Sequence, residues 1–351
     1  MQGLKPNVYI FETKEIFRKN GKNISERGIF MCTAVFLKGK SALFGRNLDL
    51  EYHFDEKIAV VPRNFPLLLR KLPVQKRHFS IIGTAHIEDE HPLFYDAMNE
   101  HGLCAAALNF PENAVYLPEK EGVPNVAPFE IIPFVLGSCS NLAEARKTLE
   151  HANILSTDFS KNLPATPLHW IFADKTGSIT VEPMKNGLKI HDNPVGVLTN
   201  NPPFGFQMQN LENYLNLTAC EPQNRFGRGI KLSPYSRGMG AMGLPGDFSS
   251  MSRFVRTAFA KINSVYEGDD VTQFFHILGY SEQISGCVRL PDCRLEKTVY
   301  SSCADLEKGI YYWRTYENSR IRAVDMMRED LEGERLVLYP MFSEQDFEFL
   351  N

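Results

Sequence analysis

Met31-Cys32-Thr33-Ala34-Val35-Phe36, followed by Phe44-Gly45-Arg46-Asn47-Leu48-Asp49, is the stretch on which the reading of this chain turns. Two apolar runs, Cys32 to Leu37 and Ser41 to Leu50, are separated only by Lys38-Gly39-Lys40, a connection of hairpin length containing glycine, so a β-hairpin is predicted. The hairpin carries chemistry. Cysteine attacks acyl carbons well once a base stands beside it, although a cysteine on an apolar strand is ordinarily just a buried core residue. Arg46 and Asp49 lie three residues apart at the end of the second run. Strand residues of odd separation point to opposite faces, so their convergence on one site calls for a bend, which Gly45 and Asn47 permit.

The base for Cys32 can be built into the same residue. If everything before it were removed, a new α-amino group would stand beside the sulfur, with a reference pKa of about 7.7 to 8.0, suited to general-base work near neutral pH. A Met followed by a small residue is the context in which an initiator Met is trimmed, so Met31 reads as a start. Met1 to Phe30 has charges scattered through it (Lys5, Glu12, Lys14, Glu15, Arg18, Lys19, Lys22) and no apolar h-region, which excludes a secretory signal. Residues 1–31 are therefore expected to be an N-terminal extension or propeptide absent from the mature chain, with a single catalytic domain over 32–351.

From Cys32 onward the chain is long enough for one large domain or two ordinary ones. Hydrophobic content of 43% allows a substantial core and argues against disorder. A net charge of −4 without blocks of like charge disfavours nucleic acid and anionic membranes as partners. The seven cysteines are odd in number, widely spaced and form no CxxC pair. That fits a reducing, cytoplasmic setting better than a disulfide framework or a zinc site. No apolar run reaches the ~18 residues of a membrane span.

Further strands are read at Ile58 to Pro62, Ser80 to Thr84 and Leu103 to Leu108, the last delivering Asn109 at its end. His86-Ile87-Glu88-Asp89-Glu90-His91 lacks the HExxH spacing and runs into Pro92, so it reads as a solvated loop rather than a metal site. Pro128 to Gly137 is an apolar helix. Asn141-Leu142-Ala143-Glu144 resembles a capping box opening a helix with Leu142, Ala145, Leu149 and Ala152 on one side. Leu168 to Ala173, Ser178 to Val181 and Leu188 to His191 are strands joined by turns at 174–177 and at Asn186-Gly187. The next strand, Gly196 to Thr199, ends on Asn200, so three strands end at the polar candidates Asp49, Asn109 and Asn200.

Gly238-Met239-Gly240-Ala241-Met242-Gly243 matches GxGxxG by letter but has neither the strand before it nor the helix after it that a dinucleotide site needs; a turned or mobile loop near the pocket is expected. Ser252-Arg253-Phe254 opens a helix whose apolar positions are Val255, Ala258, Phe259, Ile262 and Val265. Arg253 at a helix start is badly placed for the macrodipole, which hints at another reason for its presence. Val299 to Asp325 reads as a three-stranded meander. Pattern alone supports an α+β domain of packed sheets covered by helices.

MCTAVF, FGRNLD, VPRNFP, MNEHGL, Ala107-Leu108-Asn109-Phe110-Pro111, Leu168-His169-Trp170, GVLTNNP, GLPGDF, SRFVR, EKGIYY and TYEN occur in this order from Met31 nearly to the C-terminus. In this series the chain resembles the choloylglycine hydrolases, also called conjugated bile acid hydrolases, and their penicillin V acylase relatives. The resemblance implies a four-layer αββα sandwich of the N-terminal nucleophile hydrolase type, assembled as a homotetramer. It further implies Cys32 as nucleophile, with Asp49 holding its α-amine and Arg46 beside the sulfur, where a cation favours thiolate. Asn200, through its side-chain amide, and Asn109, through its backbone N–H, match the oxyanion-hole positions. Arg253 matches an arginine that organises the charge around Cys32 and Asp49.

No metal or organic cofactor is called for. Penicillin V acylases tend to carry Tyr where this chain has Asn109, so the implied substrate is a glycine- or taurine-conjugated bile acid, with aromatic and aliphatic residues such as Phe54, Phe65 and Met242 as candidates for its pocket. The alternatives are a penicillin V acylase or other linear acyl-amide hydrolase, and an inactive steroid-binding homologue.

Overall fold

The computed structural model describes residues 31–351. The N-terminal segment expected to be absent from the mature chain lies, Met31 apart, outside the described residues. In chain order the strands are β1 (Met31–Lys38), β2 (Ala42–Leu50), β3 (Lys57–Val61), β4 (Ile81–Glu88), β5 (His91–Asn99), β6 (Cys104–Asn109), β7 (Asn125–Val126), β8 (Asn153–Ile154) and β9 (Leu168–Asp174). There follow β10 (Gly177–Met184), β11 (Gly187–Asp192), β12 (Val197–Leu198), β13 (Val288–Arg289), β14 (Leu295–Asp305), β15 (Ile310–Thr315), β16 (Arg322–Asp325) and β17 (Val337–Pro340). The α-helices are α1 (Ile131–Ser138), α2 (Leu142–Glu150), α3 (Phe204–Asn210), α4 (Ser250–Asn263) and α5 (Asp270–Gly279). None of the described helices is long and apolar enough to cross a membrane.

Two antiparallel sheets dominate. The first runs β12-β1-β2-β14-β15-β16 with β13 beside β14, and the second, of eight strands, runs β11-β10-β9-β6-β5-β4-β3-β17. Their facing sides share one core, in which Ala34, Phe44, Leu48, Tyr300 and Trp313 of the first sheet meet Val60, Ile82, Met98, Leu108 and Ile171 of the second. On its other side the second sheet packs Trp170, Phe172 and Val181 against Ile132, Val135, Ala145 and Leu149 of α1 and α2. The first sheet packs Val35, Leu43 and Cys303 against Phe274, Ile277 and Leu278 of α5. This is the four-layer αββα sandwich. Because helices cover both outer faces, the central strands are buried on both sides and read as continuous apolar runs rather than alternating ones.

The predicted hairpin is present in unbroken register, from Met31 opposite Asp49 to Lys38 opposite Ala42. The bend expected within its second strand is not. β2 stays regular, and the irregularity falls on its neighbour β14, between Thr298 and Tyr300. Gly45 serves close approach instead: a Cβ there would sit 1.9 Å from the Ser302 carbonyl oxygen. Asn47 is buried, donating through Nδ2 to the Leu278 carbonyl at 2.9 Å and accepting from Ser301 Oγ at 2.8 Å, which ties the sheet to the end of α5.

The expected loop at His86–His91 is also a hairpin. β4 continues to Glu88, and Asp89 and Glu90 turn with φ of 49° and 60°. Both positive angles are those of a type I′ turn. His86 Nδ1 donates to the Phe54 carbonyl at 2.7 Å. On α4 the apolar stripe is buried only in its first half: Ile262 is exposed, and Val265, expected on the helix, lies beyond its end at Asn263 and is exposed too. Asn141 caps α2 by accepting from the Glu144 N–H, as expected.

Gly45→Ala is expected to force β2 and β14 apart and cost about 1–3 kcal/mol or more, seen as a lowered denaturant midpoint relative to the parent.

Candidate active site

Cys32 stands at the second residue of β1, opposite Leu48. Its side chain belongs to the inter-sheet core, as do Leu48 and Ala34. Arg46 pairs with Ala34 and therefore shares that face. Asp49, opposite Met31, points the other way, towards the helix layer. Arg46 and Asp49 thus flank the start of β1 from opposite faces of one sheet.

Arg46 is fully buried. Its Nη1 crosses to the second sheet, donating to the Tyr95 carbonyl at 2.9 Å and the Ala107 carbonyl at 2.6 Å. Its Nη2 has no hydrogen-bond partner among the described residues. Beneath it the buried Asp96 carboxylate accepts from Tyr300, Tyr311 and Ser302. Burial is the main influence raising the Asp96 carboxyl, with Arg46 and the three hydroxyls opposing it.

Asp49 Oδ1 accepts from Thr298 Oγ1 at 2.6 Å, while Oδ2 faces Arg253 Nη1 at 4.0 Å and has no hydrogen-bond donor among the described residues. Arg253 is the hub. From the first turn of α4, capped by Ser249, its guanidinium donates to the Cys32 carbonyl at 2.5 Å, Thr33 Oγ1 at 2.7 Å, Asn200 Oδ1 at 2.8 Å and, through Nε, the Phe248 carbonyl at 3.1 Å. Asn200 Oδ1 also accepts from the Cys32 backbone N–H at 2.8 Å, and its Nδ2 donates to the Asn109 carbonyl at 2.8 Å. All six residues singled out in the sequence therefore meet around the start of β1.

Burial is the largest influence on the Cys32 thiol and pushes it up; Arg46 is the strongest opposing one. Glu296, which sequence reasoning missed, is also buried here. Its Oε1 accepts from the Met31 N–H at 3.1 Å, and burial together with Asp49 pushes its carboxyl up to about 8. Thr298 was missed too. Both lie on β14, some 250 residues from the hairpin in sequence, and no local signal marks them. Of the aromatic candidates, Phe54 packs with the core that contains Cys32, Phe65 packs instead with the core under α1 and α2, and Met242 is exposed. Gly238 to Gly243 forms a short 3-10 turn with Gly238 at φ 80°.

A buried cysteine at a strand start, two buried arginines, a carboxylate and a pair of asparagine amides form a constellation suited to acyl transfer at a thiol. Residues 32–339 match the family of linear amide C-N hydrolases, choloylglycine hydrolase family. The chain belongs to that family. It is 48% identical over 324 residues to the bile salt hydrolase/transferase of Lactiplantibacillus plantarum, covering 92% of this chain and 100% of the relative. To the bile salt hydrolase/transferase of Clostridium perfringens it is 40% identical over 318 residues, 88% of this chain and 96% of the other. Among solved structures, a variant of conjugated bile acid hydrolase from Clostridium perfringens superimposes with a TM-score of 0.86 at 38% identity, covering 91% of this chain and all of that one. Penicillin V acylase from Agrobacterium tumefaciens shares the fold, with a TM-score of 0.67 at 20% identity over 88% of this chain and 90% of that one.

Burial raises the Asp49 carboxyl to about 6 from an ordinary 3.8, against the pull of Arg253 and Thr298. The folded chain holds this proton more tightly than the unfolded one, so its contribution to stability is full below about pH 4 and is lost as pH rises through 6. Asp49→Asn is therefore expected to gain stability relative to the parent as pH is raised from 4 to 7.5, in denaturant melts at both pH values.

Proposed function

We propose that this chain hydrolyses the amide bond of glycine- or taurine-conjugated bile acids, using Cys32 as an N-terminal nucleophile after residues 1–31 are removed. The observation that carries this reading is the ring of Arg46, Asp49, Asn200 and Arg253 around the Cys32 sulfur and backbone nitrogen, in a chain whose full-length relatives are named for bile salt hydrolysis. Removal of Met31 also has a physical rationale. The Met31–Cys32 peptide offers one donor, met by Asn200 Oδ1, while a free ammonium would offer three, and Asp49 Oδ2 is a buried acceptor without a hydrogen-bond donor among the described residues.

In the reaction so read, the α-amine of Cys32 takes the thiol proton and the sulfur attacks the amide carbon. Arg46, whose Nη2 has no hydrogen-bond partner among the described residues, favours the thiolate. The oxyanion of the tetrahedral intermediate is met by the second N–H of Asn200 Nδ2, whose first is spent on the Asn109 carbonyl, and by the Asn109 backbone N–H. Collapse of the intermediate breaks the C–N bond. The α-ammonium returns its proton to the departing glycine or taurine and leaves a bile-acyl thioester on Cys32. A water, deprotonated by the same amine, then attacks the thioester and frees the bile acid and the thiol.

Asn109, where penicillin V acylases tend to carry Tyr, favours the bile-acid branch of the family. We take the working enzyme to be a homotetramer, as the family resemblance implies, and cytoplasmic, as its widely spaced, odd-numbered cysteines suggest.

Protein trimmed to begin at Cys32 is expected to release glycine from glycocholate or taurine from taurocholate, and Cys32→Ala to release neither. Release of phenoxyacetic acid from penicillin V alone would place the chain in the acylase branch. Asn200→Ala should lose about 10² to 10³ in rate while staying folded. Alkylation of Cys32 by iodoacetamide should be slow in the full chain, where burial keeps the thiol protonated, and faster once the α-amine is free; equal rates would argue against the amine as base.

A further inference from the structure

His169 takes no part in the reaction above, yet it touches both segments that carry Asn109 and Asn200. It is fully buried on β9, opposite Leu108 of β6. Its Nε2 lies 2.9 Å from the carbonyl oxygen of Thr199, the residue before Asn200. A carbonyl only accepts, so this nitrogen carries the proton. The ring stacks on Phe110, the residue after Asn109, with centroids 4.3 Å apart and planes 5° from parallel. Its Nδ1 lies 3.5 Å from Glu182 Oε1 without a hydrogen bond among the described residues. Glu182, the residue after Val181 on the adjacent β10, is itself buried and held by the Phe204 N–H at 2.7 Å, with His191 Nε2 at 3.6 Å from its other oxygen.

We propose that His169 is a positioning residue for the oxyanion hole: one side chain clamps the ends of the two chain segments that bear its donors. The inference rests on the reading that Asn109 and Asn200 supply that hole. The geometry makes the coupling specific. The Thr199–Asn200 peptide is fixed at both ends, its carbonyl by His169 and its N–H by Ser250 Oγ at 2.8 Å. The Asn200 side chain then reaches the Asn109 carbonyl at 2.8 Å, so a rotation of that peptide moves both donors together. A hydrophobic ring at 169 would fill the space but leave the Thr199 carbonyl without its donor. Full burial keeps His169 from substrate, so it acts only through its neighbours.

The test compares His169→Gln, whose amide can place an N–H where Nε2 lies, with His169→Asn, which is polar but too short to reach. Each is made in protein beginning at Cys32. Turnover is followed on glycocholate and on a small activated aryl ester that needs the nucleophile and the hole but no steroid pocket. Parent protein that cleaves the ester and not glycocholate would refute the substrate reading alone, and the ester series would still test His169.

The expected result is a loss in kcat of about 10²-fold for His169→Asn, the scale of a misplacement of about 1 Å, with KM unchanged and Cys32 alkylation at the parent rate. His169→Gln should recover most of that loss. Parent-like kcat in His169→Asn, a loss confined to KM, or alkylation that falls in step with kcat would each overturn the proposal. If His169→Asn does not fold, Phe110→Leu carries the test, because it removes the stacked ring and keeps the Thr199 hydrogen bond. A several-fold fall in kcat at constant KM is expected there, and an unchanged kcat refutes the clamp.

Discussion

The site is organised around one buried guanidinium. A charge without access to water is tolerated only when its donors find acceptors, and Arg253 spends its N–H groups on the Cys32 carbonyl, Thr33, Asn200 and the Phe248 carbonyl, with Asp49 as the nearby counter-charge. Each of those partners is thereby fixed relative to the others. The start of β1, the end of the β12 segment and the N-terminus of α4 meet at this point, so the arrangement that satisfies the buried charge is also the arrangement that gathers the reactive groups.

The sandwich supplies the second constraint. Because β1 and β2 are central in a sheet covered on both faces, side chains of opposite parity reach different environments. Arg46 enters the core between the sheets, where backbone carbonyls of β5 and β6 hold it. Asp49 enters the layer beneath α4 and α5, where Thr298 and Arg253 receive it. Cys32, next to a strand end, is influenced by both. A regular strand thus delivers a cation and a carboxylate to one sulfur from opposite sides, a result that a bend would have spoiled by moving Gly45 away from Ser302.

The same geometry explains which features were legible in the sequence. The β1–β2 hairpin, the meander from β14 to β16 and the Asn141 cap are local, and hydrophobic pattern with turn chemistry reports local structure. Arg253 was conspicuous because a cation at a helix start works against the dipole, and its burial accounts for the anomaly. The strand β5 went unseen because Pro92 stands near its start and Asp96 interrupts its apolar run. The hairpin at Asp89-Glu90 was read as a loop because positive φ at two acidic residues leaves no clear mark in composition. Ile262 continues an amphipathic spacing past the buried part of α4, and Val265 continues it past the end of the helix, because spacing records periodicity rather than the presence of a partner.

What the sequence determined by itself is most of the strands and helices and the α+β class, with Asp49, Asn109 and Asn200 marked as polar residues at strand ends; the six-residue candidate site followed from the family resemblance. What only the tertiary structure decided is how those side chains meet. Thr298 and Glu296 reach Asp49 and Met31 from β14, and His169 braces the segments of Asn109 and Asn200 from β9. Those contacts join residues up to 265 positions apart, between strands whose pairing is set by the packing of two sheets. Local pattern cannot encode such pairings, because the free energy that selects them belongs to the assembled core.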